Sequence, residues 1–184
     1  LIIRGRPALS KFRAQKVESL LRSSVSVVDK VVTQLIHFVD VERELSSDEL
    51  LVLEQLLKYG PTHSAKDSAN KLNNSKVENV ESWVVVPRLG TISPWSSKAT
   101  DIANNCDLAA VRRIERGVVW TIEFNSKLAE DDRERVFSII HDRMLETVLD
   151  SEKDAVQLFT TAEPAPVLTV DILSGGREAL EESN

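Results

Sequence analysis

The stretch VSVVDKVVTQLIHFVDV, Val25 to Val41, decides the fold class. β-Branched residues dominate it, with Val32, Ile36 and Phe38 on one alternating face and Val31, Leu35 and Val39 on the other, which predicts a long strand buried mostly on both sides. Upstream, Ser10 to Ser24 repeats Leu9, Phe12, Val17, Leu20 and Leu21 near helical spacing, and Pro7 suits the turn before it. Downstream, Ser46 and Glu49 form a capping box, Asp48 suits the helix dipole, and Leu50, Leu53 and Leu57 supply the buried stripe up to Gly60 and Pro61.

The same order returns further along. Thr62 to Ser82 is polar and without sustained periodicity, and reads as a long mobile loop. Trp83 to Val86 is a run of strand formers closed by Pro87, and Ser93 with Pro94 marks a helix start whose buried face is Trp95, Ala99, Ile102, Ala103 and Cys106. In Val111 to Phe124, Val118, Trp120, Ile122 and Phe124 share a face, and Arg116-Gly117 reads as a turn, so two antiparallel strands are expected. Leu128 to Leu149 reads as one helix through Phe137, Ile140, Met144 and Val148, followed by a short amphipathic piece near Val156 to Phe159. Glu163 to Pro166 reads as a hinge, and Arg177 to Glu182 as a helix. Strand, helix, strand, helix twice over predicts an α+β domain of two ferredoxin-like halves sharing an antiparallel sheet, helices segregated to one face.

Composition narrows the function. A net charge of -6 over 184 residues argues against nucleic acid and against an anionic membrane surface. One cysteine, Cys106, excludes an internal disulfide framework and a Cys-rich zinc site, and points to a reducing compartment, the cytosol by default. No apolar run reaches the roughly 18 residues of a membrane helix, and Leu1 to Arg6 lacks the order of a signal peptide. The missing initiator methionine and the helical ending predict an excerpt of a longer chain.

His37 and His63 lack partners at metal-ligand spacing, and His141 sits beside Asp142 and Arg143 on a predicted helix; all three read as structural or solvated. The phosphate-binding glycine fingerprints are absent. Glu130, Asp131, Asp132, Arg133, Glu134 and Arg135 read as an exposed helix start, because adjacent helical carboxylates point apart. The dense stretch is RLGTISPWSSKATDI, Arg88 to Ile102. Its helix start offers unpaired N–H groups, so Ser93, Ser96, Ser97 and Thr100 with Lys98 and Arg88 suit an anion or a docked polar loop, with simple capping the plainer alternative.

This stretch closely resembles a motif in the N-terminal domain of large phosphoribosylformylglycinamidine synthases. Gly5 to Ser10, Leu56 to Pro61, Arg113 to Gly117 and His141 to Met144 resemble the same family in the same order, while Thr62 to Ser82 is longer than bacterial members carry. After the hinge, Val170 to Leu173 and Gly175 to Leu180 look like the start of the family's linker domain. The resemblance implies residues 1–162 as an N-terminal scaffold domain and 163–184 as the hinge and beginning of the linker domain. It also implies a parent ligase that amidates formylglycinamide ribonucleotide in purine biosynthesis, with ATP and magnesium activating the amide oxygen and glutamine supplying ammonia.

In that family the nucleotide sites and the Cys-His-Glu glutaminase triad lie beyond residue 184. The segment is therefore expected to hold no catalytic residue, metal or cofactor of its own, and Cys106 to be a core thiol. The domain resembles a dimer of the family's small partner subunit, and its implied partners are the synthetase and glutaminase domains of the same chain. Arg88, Ser93, Trp95, Ser96, Ser97, Lys98, Thr100 and Asp101 are then the candidates for facing a neighbouring domain or the substrate. A stand-alone regulatory or scaffolding module that binds a small effector or protein is the alternative.

Overall fold

The computed structural model describes residues 1–60, 79–160, 166, 167 and 169–183. Most of the expected Thr62 to Ser82 loop, and most of the hinge, lie outside these residues. The described end of that loop, Val80 to Ser82, is strand.

Strands β1 (Ile2–Arg4), β2 (Val28–Val41), β3 (Val80–Pro87), β4 (Val111–Phe124) and β5 (Glu146–Leu149) form one sheet in the order β1-β2-β4-β3-β5. Every neighbouring pair is antiparallel. β2 and β4 lie at its centre, and Leu35 opposite Val118 and Ile36 opposite Gly117 fix their register. The central position explains why β2 carries apolar residues on both faces: each face is covered.

Helices α1 (Lys11–Ser24), α2 (Ser47–Leu56), α3 (Pro94–Asn105) and α4 (Glu130–Ile140) pack on one face. Leu21 of α1 and Val136 and Ile140 of α4 close over Val31, Trp83, Trp120 and Ile122 at one end. Leu53 of α2 and Ala103 of α3 close over Val39 and Ile114 at the other. A 3-10 helix, Glu152–Phe159, covers part of the opposite face, where Ala155 and Leu158 meet Ile36, Phe38, Val84, Val86 and Val119. A further helix, α5 (Ile172–Glu182), buries none of its residues.

Local signals set the helix ends. Ser10 accepts from the Arg13 N–H, and Ser46 and Glu49 cap each other's backbone at 3.2 and 2.8 Å. Hydrogen bonds from Arg43 hold the Glu49 carboxyl at about 2, and the Ser46 N–H adds to the effect. α3 ends in a Schellman turn: Asp107 takes φ +62°, the Leu108 N–H reaches the Ala103 carbonyl and the Asp107 N–H that of Asn104. Leu108 and Ala103 are both buried there in one cluster.

The structure corrects several expectations. Val111 to Phe124 is one unbroken strand, and Gly117 sits in its middle rather than in a turn. A Cβ on Gly117 would lie 2.9 Å from the Val85 carbonyl oxygen and 3.1 Å from Val86 Cγ1, so the glycine serves close strand approach. Leu128 to Leu149 is not one helix. α4 stops at Ile140, His141 is its C-cap instead of an interior helical residue, and Asp142 accepts from the Met144 N–H while donating its own N–H to Glu146. That turn frees Thr147 and Val148 to pair with β3. Phe12, Leu20 and Ile102, expected on buried faces, are exposed, at 74%, 52% and 44%. Cys106 is the C-cap of α3 and half-buried rather than a core thiol.

Candidate functional site

The helix start at Ser93 is built against the sheet. Ser93 is the N-cap: its Oγ accepts from the Ser96 N–H at 3.0 Å and donates to Glu115 Oε2 at 2.9 Å, while its own N–H reaches Glu115 Oε1 at 3.3 Å. Glu115 lies on β4 with no exposed surface. Arg113 binds the same carboxylate through Nη2 at 2.5 Å and Nε at 3.2 Å, and its Nη2 also donates to the Thr91 carbonyl at 2.7 Å. Its guanidinium lies 5.6 Å from the Phe159 ring of the 3-10 helix. A carboxylate at a helix N-terminus is favoured by the dipole and by the unpaired N–H groups. The anion position of this helix start is thus occupied by the chain's own Glu115.

The other motif residues divide by direction. Thr100 Oγ1 accepts from the Ile114 N–H at 3.0 Å and ties α3 to β4. Ser96 is fully buried, its hydroxyl without a partner among the described residues. Trp95 packs inward, 4.8 Å beneath the Arg116 guanidinium. Ser97, Lys98 and Asp101 are exposed, as is Arg88, whose backbone extends the β3–β5 ladder by donating to the Leu145 carbonyl at 2.9 Å. Lys98 stands at the rim of an apolar groove of about 230 Å³ between α2 and α3, lined by Leu56, Tyr59, Trp95, Ala99 and Ile102 among others.

A second constellation was missed by sequence reasoning. His37 is fully buried at the middle of β2. Its Nδ1 meets the Ile3 carbonyl at 3.2 Å and its Nε2 the Tyr59 hydroxyl at 2.9 Å. A carbonyl only accepts, so Nδ1 carries the proton, and Nε2 accepts from the Tyr59 O–H. Tyr59 Oη in turn accepts from Arg116 Nη1 at 3.3 Å. Burial lowers the His37 pKa to about 4, the bond to Ile3 opposes this, and the Arg116 charge lowers it further. Gly5 meets this ring as well: a Cβ there would stand 3.0 Å from His37 Cε1. The segments around Gly5, Tyr59, Trp95 and Arg116, scattered along the chain, meet at this point. Only the burial of His37 within an apolar run hinted at it.

This chain predicts a pH signature. The unfolded state binds a proton on His37 from the ordinary histidine value of 6.5 downward, the folded state only near 4. The His37 contribution is fully present above pH 6.5 and is lost as the pH falls toward 4, amounting to about 2 kcal/mol by about pH 5. Denaturant titrations across that window check it, since His37→Gln removes the proton uptake and flattens this part of the profile.

Residues 34–159, more than half of the chain, match a family described as formylglycinamide ribonucleotide amidotransferase N-terminal. The match takes in Ser93, Trp95 and Glu115 as well as His37, Tyr59 and Arg116.

Proposed function

Because the chain belongs to the formylglycinamide ribonucleotide amidotransferase N-terminal family, we propose that it acts as a non-catalytic brace in a phosphoribosylformylglycinamidine synthase. In this reading the parent amidates formylglycinamide ribonucleotide with ATP, magnesium and glutamine, in the cytosol. Its synthetase and glutaminase domains, continuous with this chain, carry the chemistry. Residues 1–162 form the scaffold and 163–184 begin the linker domain. Among the described residues no helix is long and apolar enough to cross a membrane.

One observation carries the reading. Two hydroxyls of the motif are engaged inside the fold: Ser93 with Glu115, and Thr100 with the Ile114 N–H. What the motif presents outward is Ser97, Lys98, Asp101 and the half-exposed Ile102, beside the apolar groove. A mixed polar and apolar strip on a helix anchored to the sheet suits a docking face. The architecture supports the duplicated, ferredoxin-like form of the proposal: β1–α1–β2–α2 and β3–α3–β4–α4 repeat one order, and β2 pairs with β4 at the centre. The two helix pairs, α1 with α4 and α2 with α3, cover opposite ends of one face.

The test is Lys98→Ala combined with Ser97→Ala in the complete enzyme. Loss of rim contacts of this kind is expected to lower turnover or interdomain melting stability by the equivalent of about 1 kcal/mol, roughly fivefold in a rate or affinity. Unchanged turnover together with unchanged interdomain stability would sink the proposal.

A further inference from the structure

We infer that Arg6 and Arg116, on either side of Tyr59-Gly60 and backed by Trp95, form a binding site for a dianionic phosphate group, with the α2–α3 groove receiving the organic part of a phosphate ester. The starting point is charge without compensation. Among the described residues neither Arg6 nor Arg116 has a carboxylate within 4.0 Å, whereas nine other cation–carboxylate pairs form. Arg6 Nε is buried and has no hydrogen-bond partner among the described residues. A buried guanidinium N–H left unpaired is costly, and a bound oxyanion relieves that cost.

The two guanidinium groups flank one dipeptide. Arg116 Nη1 donates to Tyr59 Oη, and the Arg6 guanidinium lies against Gly60, where a Cβ would stand 2.8 Å from Arg6 Cζ and Nε. Gly60 also has φ +86°, a second reason for glycine there. Both ring nitrogens of the neighbouring His37 are taken, by the Ile3 carbonyl and the Tyr59 hydroxyl, so neither is left to accept from these cations. Two guanidinium charges without a carboxylate partner among the described residues match a phosphate dianion better than a single carboxylate, and planar guanidinium groups suit its oxygens bidentately. Trp95 lies under Arg116 at 4.8 Å and, with Tyr59, also lines the adjoining groove. The apolar lining of that groove and Lys98 at its rim suit a small ester body with further negative charge.

This inference does not depend on the brace reading, because it concerns only residues of this chain. The experiment uses the full 184-residue chain, labelled with 15N, and follows the indole N–H signals of its three tryptophans during titration. Inorganic phosphate is expected to shift the Trp95 signal saturably and to leave Trp83 and Trp120 in place, since both are buried at the far helix pair. Phenyl phosphate is expected to bind about fivefold more tightly through the groove, and acetate at least about tenfold more weakly than phosphate. Arg116→Gln and Arg6→Gln should each weaken phosphate by about tenfold or more, whereas Arg143→Gln, exposed elsewhere, should not. Should Arg116→Gln fail to fold, Arg6→Gln decides alone. No saturable Trp95 shift, equal shifts at all three indoles, or phosphate affinity unchanged by Arg6→Gln would each overturn the site.

Discussion

Gly117→Val is expected to destabilise the chain by at least about 3 kcal/mol, with the denaturant midpoint falling in proportion and the isolated variant partly unfolded at room temperature. The cause is the middle of the sheet. Gly117 stands opposite Ile36 in the central β2–β4 pairing, and its missing side chain lets β3 approach from the other side. A first side-chain carbon would meet the Val85 carbonyl oxygen at 2.9 Å, Val86 Cγ1 at 3.1 Å and Ile36 Cγ2 at 3.3 Å. The closest of these is backbone, which cannot rotate away as a side chain does. Relief requires β3 and β4 to separate, and β3 carries Trp83, Val84, Val85 and Val86, all buried. Gly117→Ala meets the same first contact without the two methyl groups, so it should lose less. Equilibrium denaturation of the three proteins orders them glycine, alanine, valine; a valine variant as stable as the parent would show that β3 and β4 can part without loss.

The same residue shows where sequence reasoning stops. Arg116-Gly117 is a turn signal by composition, and nothing within several residues says otherwise. The demand for glycine comes from Val85, some thirty positions away in the chain. Ser46 with Glu49 and Ser93 with Pro94 were legible because each signal and its partner lie within one helical turn. The long β2 strand was legible because apolar residues on both faces mean cover on both faces. Phe137, Ile140, Met144 and Val148 kept helical spacing past the true end of α4, since the residue that ends it, Asp142, acts through a side-chain turn that spacing does not display.

The candidate site divides along the same line. The hydroxyl-rich start of α3 was visible as a helix start, and Thr100, Trp95 and Ser93 do sit where that helix meets the sheet. Which anion it holds was not visible. By strand periodicity Glu115 shares one face of β4 with Arg113, Thr121 and Glu123 as well as Gly117 and Val119, the face opposite to Val118, Trp120, Ile122 and Phe124, and such a mixed row gives no sign of cover. That face is covered around Glu115, where Arg113 stacks on Phe159 and reaches the Thr91 carbonyl. Tyr59, Arg116 and His37 belong to three separate segments, and only the β2–β4 register, with His37 opposite Arg116, brings two of them side by side.

The second large effect concerns Glu115, whose replacement by alanine is expected to cost roughly 4 kcal/mol. Three consequences act together. The Arg113 guanidinium, of which 19% is exposed, loses its carboxylate and remains as a mostly buried charge. Ser93 loses the acceptor of both its Oγ and its N–H. The start of α3 loses the negative charge that its dipole favours. Glu115→Gln keeps an oxygen and most of the volume but drops the charge, so it should lose about half as much, from the Arg113 pairing and the helix dipole. Because Arg113 also holds the Thr91 carbonyl at 2.7 Å, the loop from Arg88 to Ile92 should loosen in both variants. Amide hydrogen exchange locates that effect: protection falls first at Ser96 and Ser97, which donate to Ser93 Oγ and to the Ser93 carbonyl, before it falls in the β2–β4 ladder. If Glu115→Ala instead lost less than about 1 kcal/mol, the range for an exposed pair, the carboxylate would be serving neither Arg113 nor the helix start. Loosening confined to α3 and the Arg88 to Ile92 loop, with the central strands still protected, would separate the anchoring role of Glu115 from general loss of the fold.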